Sequence, residues 1–545
     1  MSPLAESASP ARRRLLGGAA LWLAADCAAL VSGCAAPATG TKTAGEVARN
    51  PVLARKPAAT FDLSPTDLAL VERVSWGACA STAADFARLG HDDWLQSQLQ
   101  PQAIALLPPT VQAAVDAFSI STTPFERLVA ELDQARRDAD AKAIVVDDAA
   151  AKQAARQVYQ QALAKVGREA AQRSLLRALY APGQLQEQLT WFWFNHFNVH
   201  QYKNNLRAMV GDYEDRALRP RALGRFRDLL IASATHPAMI RYLDNEQNAA
   251  GRINENYARE VMELHTLGVD GGYSQKDVQE LARVLTGLGI NASDRTPDLR
   301  PEQRPLYVRQ GLTEFNPRRH DMGTKLVLGR EVAGRGWNEI LDELGRLAAE
   351  PATARFVCRK LAVHFVADVP PPALVERMVA AFTKSEGDIA VTLSAMFSAP
   401  ALRASLGRKF KDPMHYVVSA VRLAYDDRPV LNTGPMLNWL GRLGELPYNR
   451  QTPDGYPLDE ASWSSPGQMA ERFEIARTIG SGGAGLFRAE GASADGPGFP
   501  RLESAFFHAN IEPTLSAATR AALERATSAQ EWNVFLLSSP EFMQR

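Results

Sequence analysis

Cysteine is scarce in this chain: four residues among 545, with no Cys-x-x-Cys pair. A cysteine-bound zinc or a c-type haem attachment is thereby disfavoured. Net charge is missing too. Lysine plus arginine and aspartate plus glutamate balance at 61 each, so no overall field draws the chain to nucleic acid. Beyond the N-terminal segment no apolar stretch is long enough to span a bilayer. Strand-like alternation is rare. The Gly-x-Ser-x-Gly nucleophile elbow is absent. The glycine-rich run Gly480–Gly485 has no preceding strand and no following Lys, so it reads as a flexible loop and not a phosphate cradle.

What is present first is an N-terminal address. Arg12-Arg13-Arg14 precedes the apolar run Leu15–Ala25, the charged and apolar parts of a secretory signal. The arginines also admit twin-arginine export. Val31-Ser32-Gly33-Cys34 has the form of a bacterial lipobox, with Cys34 the lipidated first residue. The expectation is a signal peptide over 1–33 and a flexible tether, rich in Ala, Thr and Pro, over 34–60. The protein is then exported to the periplasm or cell envelope, with an N-terminal lipid as its membrane attachment. Plain cleavage to a soluble periplasmic protein is the alternative. Export leaves Cys79 and Cys358, either as a disulfide or as two buried free thiols.

Helical periodicity dominates the rest, and the fold class it predicts is mainly α: many helices in one body or two lobes. Two helices are expected over 64–100, the first opened by Ser64-Pro65. Residues 124–180 suit long, partly exposed helices, with a variable helical insert near 138–165. Further helices are expected over 183–200, 215–246, 275–289, 338–367, 372–384, 387–399, 411–425 and 433–443. The best β candidate is a hairpin within 305–329, pairing Leu306–Val308 with Lys325–Gly329. Residues 446–466 and 480–503 read as loops. The whole of 61–545 is expected to form one large helical domain.

The densest polar cluster is residues 254–273. At about 100° per residue, Asn256, Arg259, Glu260 and Glu263 share one arc of a helix. Gly268 stops that helix, and Ser274 with Asp277 starts the next. Two carboxylates one turn apart can share a metal or divide acid and base roles. The plain alternative is a solvated face carrying an Arg259–Glu263 pair. That pairing would make Glu263 the ionised member and Glu260 the freer one. His265 falls on the apolar arc and reads as a core histidine.

Two further groups carry possible chemistry. In the aromatic run Trp191–Phe197, His196 follows Asn195, and His200 stands at i,i+4, a spacing two metal-binding imidazoles can use. A structural histidine is the alternative. His320, Asp321 and Lys325 could converge on a pocket, or Asp321 could simply hold a turn.

The runs Leu176–Glu187, Phe192–Phe197, Pro237–Asn245, 254–273, His320–Gly329, Pro351–Phe356, Lys360-Leu361 and Pro453–Pro457 occur in this order. Together they resemble the bacterial domain-of-unknown-function family 1800 (DUF1800), over roughly 62–545. The resemblance implies a mostly helical exported protein whose genes neighbour those of a sulfatase- or phosphatase-like exported family, a possible partner. It implies no reaction and no cofactor. The family often has a second histidine where Phe194 stands here, which weakens any mechanism needing both imidazoles. Two functional readings follow. In one, a polar cleft performs acid–base or metal-assisted hydrolysis: Glu260 and Glu263 are base or ligands of a divalent metal, and His196 is a proton shuttle. Asn195, Asn256, Arg259, His320 and Asp321 then bind substrate. In the other, the same residues fix a non-catalytic binding or assembly protein.

Overall fold

The structure, a computed structural model, describes residues 61–100, 107–145, 149–293, 295–426, 428–430, 432–487 and 498–545. Arg12–Arg14, Cys34 and the expected tether lie outside the described residues. The molecule is mainly α-helical, and Ala59–Arg545 forms one compact unit. No described helix is long and apolar enough to cross a membrane. Cys79 and Cys358 are both free and buried.

Local signals set most helix ends. Ser64 accepts from Asp67 N at the start of the Pro65–Val74 helix. Ser274 and Asp277 form a reciprocal capping box at Gln275–Val284, satisfying two orphan backbone donors. Where one helix was expected over 338–367 there are two, Trp337–Ala349 and Pro351–Phe365. Pro351 forces the break, because the residue before a proline is pushed out of the helical region. Residues 64–100 likewise hold three helices, the second and third separated at Gly90 with φ 81°. The 215–246 stretch is broken into short helical turns, among them Phe226–Ala234 and Pro237–Tyr242. Helices Phe125–Val145 and Ala149–Tyr180 pack on each other.

The Gln184–His196 helix is buried along its whole length. Phe192, Trp193 and Phe194 enter the larger of two apolar clusters, while Trp191 enters the second, built mostly from 410–543. A helix covered on all sides must satisfy its polar groups internally. Gln186 donates to Arg219 O at 3.0 Å, and Glu187 accepts from Arg219 Nη2 at 2.6 Å.

The β structure is small and differs from the expected hairpin. Strands β1 (Leu288–Ile290), β2 (Val308–Gln310) and β3 (Thr313–Phe315) form an antiparallel sheet in the order β1-β3-β2. β4 (Lys325–Val327) pairs with β5 (Arg330–Val332). Each segment of the expected pair therefore takes its own nearer partner. Short turns at Gly311 and Leu328-Gly329, all with positive φ, make those local pairings accessible.

Candidate functional site

The 254–273 block begins as an α-helix, Asn256–Glu260, and widens into a π-turn over Val261–His265. Such single π-turns recur at functional sites. The widening carries Glu263 away from the position an α-helix would give it. The expected Arg259–Glu263 pair is accordingly not formed. Arg259 instead donates to Glu255 Oε2 at 3.1 Å and to Gln275 Oε1 at 2.8 Å. Glu263 stands by the Tyr273 hydroxyl, whose pKa is pushed up to about 12 by burial and by that carboxylate. Asn256 is exposed and donates to Leu243 O at 3.1 Å.

Glu260 is half-buried on the same block. Its pKa is raised to about 7 by burial first, then by the charge of Glu263; Arg259 draws it down and Asp454 pushes it up. Asp454 comes from a loop nearly two hundred residues away. Burial would raise its carboxyl too, but hydrogen bonds from Arg450 and Thr452 outweigh that and hold it low. Tyr242 stands by both acids: its hydroxyl is raised by burial and by Glu260 and Asp454, and it donates to Gln451 O at 2.7 Å.

Asn195 positions this loop. Its Nδ2 donates to Tyr456 O at 2.9 Å and its Oδ1 accepts from Tyr456 N at 2.5 Å. Asn198 adds bonds to Arg450 O and Thr452 O at 2.9 and 2.8 Å. Gly455, at φ 78°, lies so close that a Cβ there would stand 2.1 Å from Asn195 O. Only glycine permits that approach.

Behind the acids lie two buried imidazoles and a lysine. His196 Nε2 is 3.1 Å from His265 O and so donates to it, leaving Nδ1 unprotonated and without a partner. His265 Nε2 is also buried without a partner. Burial holds His196 well below the ordinary histidine value and His265 at about 3, and Lys360 lowers both further. Both are neutral at physiological pH. Lys360 is itself lowered to about 8 by burial, with Asp454 opposing. His200 does not join His196 in a metal pair: the helix ends at His196, and the His200 ring packs near Tyr202 instead. Among the described residues no three His, Cys, Asp or Glu side chains group closely enough to hold a metal ion.

His320 and Asp321 sit in another network. His320 Nδ1 bonds Thr286 O at 2.7 Å, and its Nε2 lies 3.2 Å from Glu339 Oε1. Lys325 Nζ meets the same Glu339 oxygen at 2.5 Å. Glu339 also caps the Trp337–Ala349 helix through Gly336 N at 3.1 Å. Asp321 pairs with Arg283 at 2.8 Å and accepts from Gly323 N at 2.9 Å. These bonds hold β4 to the helices around it. A third buried network joins Asp412, His415 and Arg545. His415 Nδ1 is 2.8 Å from Asp412, but its Nε2 faces Arg545 Nη1 at 2.6 Å and Gln188 at 3.2 Å, where a nucleophile would have to sit.

The structure thus draws Glu260, Glu263, Asn195 and His196 into one region and adds Asp454, Lys360, His265, Tyr242 and Tyr273. A family model matches residues 69–544, nearly the whole chain. The chain belongs to that family, described as Protein of unknown function (DUF1800). Comparison with curated proteins and with solved structures found no match. Asp454 and Lys360 lie within the runs Pro453–Pro457 and Lys360-Leu361, so DUF1800 motifs far apart in sequence meet here. Those motifs were the one signal that could have found both residues.

Proposed function

We propose that this protein is an exported envelope protein, lipid-anchored through Cys34, whose Glu260 cleft performs acid–base hydrolysis of an envelope polymer. The observation that carries the catalytic part is Glu260 itself. It is a half-buried carboxyl whose pKa of about 7 lets it both give and take a proton near neutrality. Perturbed groups of this kind concentrate at functional sites. Glu263 and Asp454 keep the proton affinity high. Asn195 fixes the loop that brings Asp454. His196 orients the π-turn by donating to the His265 carbonyl. Arg259 and Asn256 are engaged with their own neighbours, so substrate contact falls to the half-buried Lys360. Export is supported by Arg12–Arg14, the apolar run after them and the Cys34 lipobox.

The test uses purified full chain with isolated peptidoglycan and envelope polysaccharide, reading released reducing ends against Glu260→Gln. Release by the wild type and at least a hundredfold loss in the variant is the expected result, in line with the contribution of general acid–base groups. Equal release by both would overturn the catalytic reading. The cleft would then be a binding or assembly surface, for which the exported phosphatase- or sulfatase-like protein implied by the family resemblance is the partner to try.

A further inference from the structure

A cavity of about 240 Å³ shares no lining residue with the Glu260 site. It is bounded by the Pro109–Asp116, Phe125–Val145 and Ala149–Tyr180 helices and by residues 208–216. Val115, Ile120, Phe125, Leu128 and Val166 give it apolar walls. Asp215 and Arg216, also in its lining, stand on a second π-turn, Tyr213–Leu218. Such turns recur at functional sites.

Six charged side chains complete the lining: Arg173, Arg177, Arg216, Asp116, Asp212 and Asp215. Most of these charges cancel in place. Arg173 Nη1 pairs with Asp215 at 3.2 Å, and Arg216 Nε with Asp212 at 3.1 Å. Two charges of opposite sign are left over. Arg177 shares the Asp215 that Arg173 already engages, bonding it through Nη1 at 2.5 Å. Its Nη2 makes no hydrogen bond among the described residues, and its Nε is buried without a partner. The other acids near Arg177 are committed elsewhere: Glu187 to Arg219 at 2.6 Å, and Glu214 to the Tyr448 hydroxyl at 2.9 Å. Asp116 is the opposite case. It is exposed at the end of its helix, accepts from Gln112 Nε2 at 2.7 Å and has no ion-pair partner among the described residues.

These leftovers select the kind of ligand. A simple anion entering here meets three carboxylates, and a simple cation meets three guanidiniums. A small molecule with one charge of each sign on an apolar frame satisfies Arg177, Asp116 and the walls together. A void of this size is below that of drug-sized pockets, which favours a ligand of few atoms. We propose that the cavity binds a free α-amino acid with an apolar side chain. The carboxylate accepts from Arg177, the geometry guanidinium groups favour. The ammonium donates to Asp116, and the side chain lies among Val115, Ile120, Phe125 and Leu128. The inference goes beyond the hydrolytic reading and does not need it, because the two sites have no residue in common.

The experiment titrates the full chain calorimetrically with L-leucine and L-phenylalanine. Two compounds that each keep one charge of leucine, 4-methylpentanoate and isopentylamine, are titrated beside them. At least one amino acid should bind one-to-one. Each one-charge compound should bind at least about tenfold more weakly than L-leucine, the loss expected for one hydrogen bond to a charged group. Asp116→Asn changes an exposed residue, so it should fold as the wild type does. It should weaken the amino acid by about tenfold and leave 4-methylpentanoate unchanged. Arg177→Met should abolish binding of both; if that variant does not fold, Asp116→Asn and the ligand series decide. The proposal is overturned if neither amino acid binds up to its solubility limit, if 4-methylpentanoate binds as tightly as leucine, or if Asp116→Asn binds like wild type. Glu260→Gln should bind the amino acid unchanged, so loss of hydrolysis with binding intact separates the two ideas.

Discussion

The carboxamide of Asn195 holds the main chain of Tyr456 at both of its polar atoms, donating to the carbonyl at 2.9 Å and accepting from the amide at 2.5 Å. It is the clamp that sets Asp454 beside Glu260. Asn195 is 7% exposed, so neither bond has a ready substitute in water.

Removing the clamp should loosen the loop. Asn195→Ala leaves the Tyr456 amide and carbonyl without their partner, a cost of about 1–3 kcal/mol for buried polar groups. Gly455→Ala should cost at least as much, since its Cβ would collide with Asn195 O at a positive φ. Thermal and denaturant unfolding measure both. In either variant that still folds, the pKa of Glu260 should fall as Asp454 moves away.

The titration of Glu260 gives a stability signature. Its folded value of about 7 lies above the unfolded glutamate value of about 4.3. The folded state therefore prefers the proton. The stability this adds is fully present below about pH 4.3 and is lost as pH rises through about 7. Glu260→Gln should match wild type at low pH and exceed it above pH 7. For a partly solvated group the gap should be on the order of 1–2 kcal/mol after screening. Urea unfolding across that window checks it, and a flat difference with pH would show Glu260 to be an ordinary carboxylate.

Glu263 and Asp454 should set the value. Glu263→Gln and Asp454→Asn each remove a negative charge that favours protonated Glu260. Carbon-detected NMR titration of Glu260 should report a lower pKa in both, with the larger drop in Glu263→Gln. Burial remains in each case, so neither should return fully to the unfolded value.

Glu339 should matter for folding and not for the Glu260 site. Its carboxylate meets Lys325 and His320 with side chains fully buried. Burial alone would raise its pKa, but bonds from His320 and Lys325 outweigh this and hold it low. Glu339→Gln should destabilise by about 3–5 kcal/mol, as removing one partner of a buried pair does. Stability held by this carboxylate is present above the unfolded glutamate value and lost as pH falls below it. Glu260 should titrate as in wild type, which would set His320 and Asp321 apart from the site.

Some of this was legible in the residues alone. Helical periodicity, the Ser64 and Ser274 caps and the stop at Gly268, where φ is 83°, are local matters of backbone geometry and capping, and they fixed the α class and many boundaries. The polar block at 254–273 was visible as composition on a helix. What the sequence did not determine was decided by packing at a distance. The π-turn at Val261–His265 gives up regular α geometry, and 100° arithmetic cannot anticipate it, so that arithmetic pairs Arg259 with Glu263 where the fold pairs it with Glu255. Asp454 and Lys360 reach Glu260 and His265 only because the Asn195 clamp and the Pro351–Phe365 helix bring them there. A pKa near 7 at Glu260 and near 8 at Lys360 belongs to neither residue by itself. Each follows from lost water and from which charges stand beside it, and that neighbourhood exists only in the folded chain.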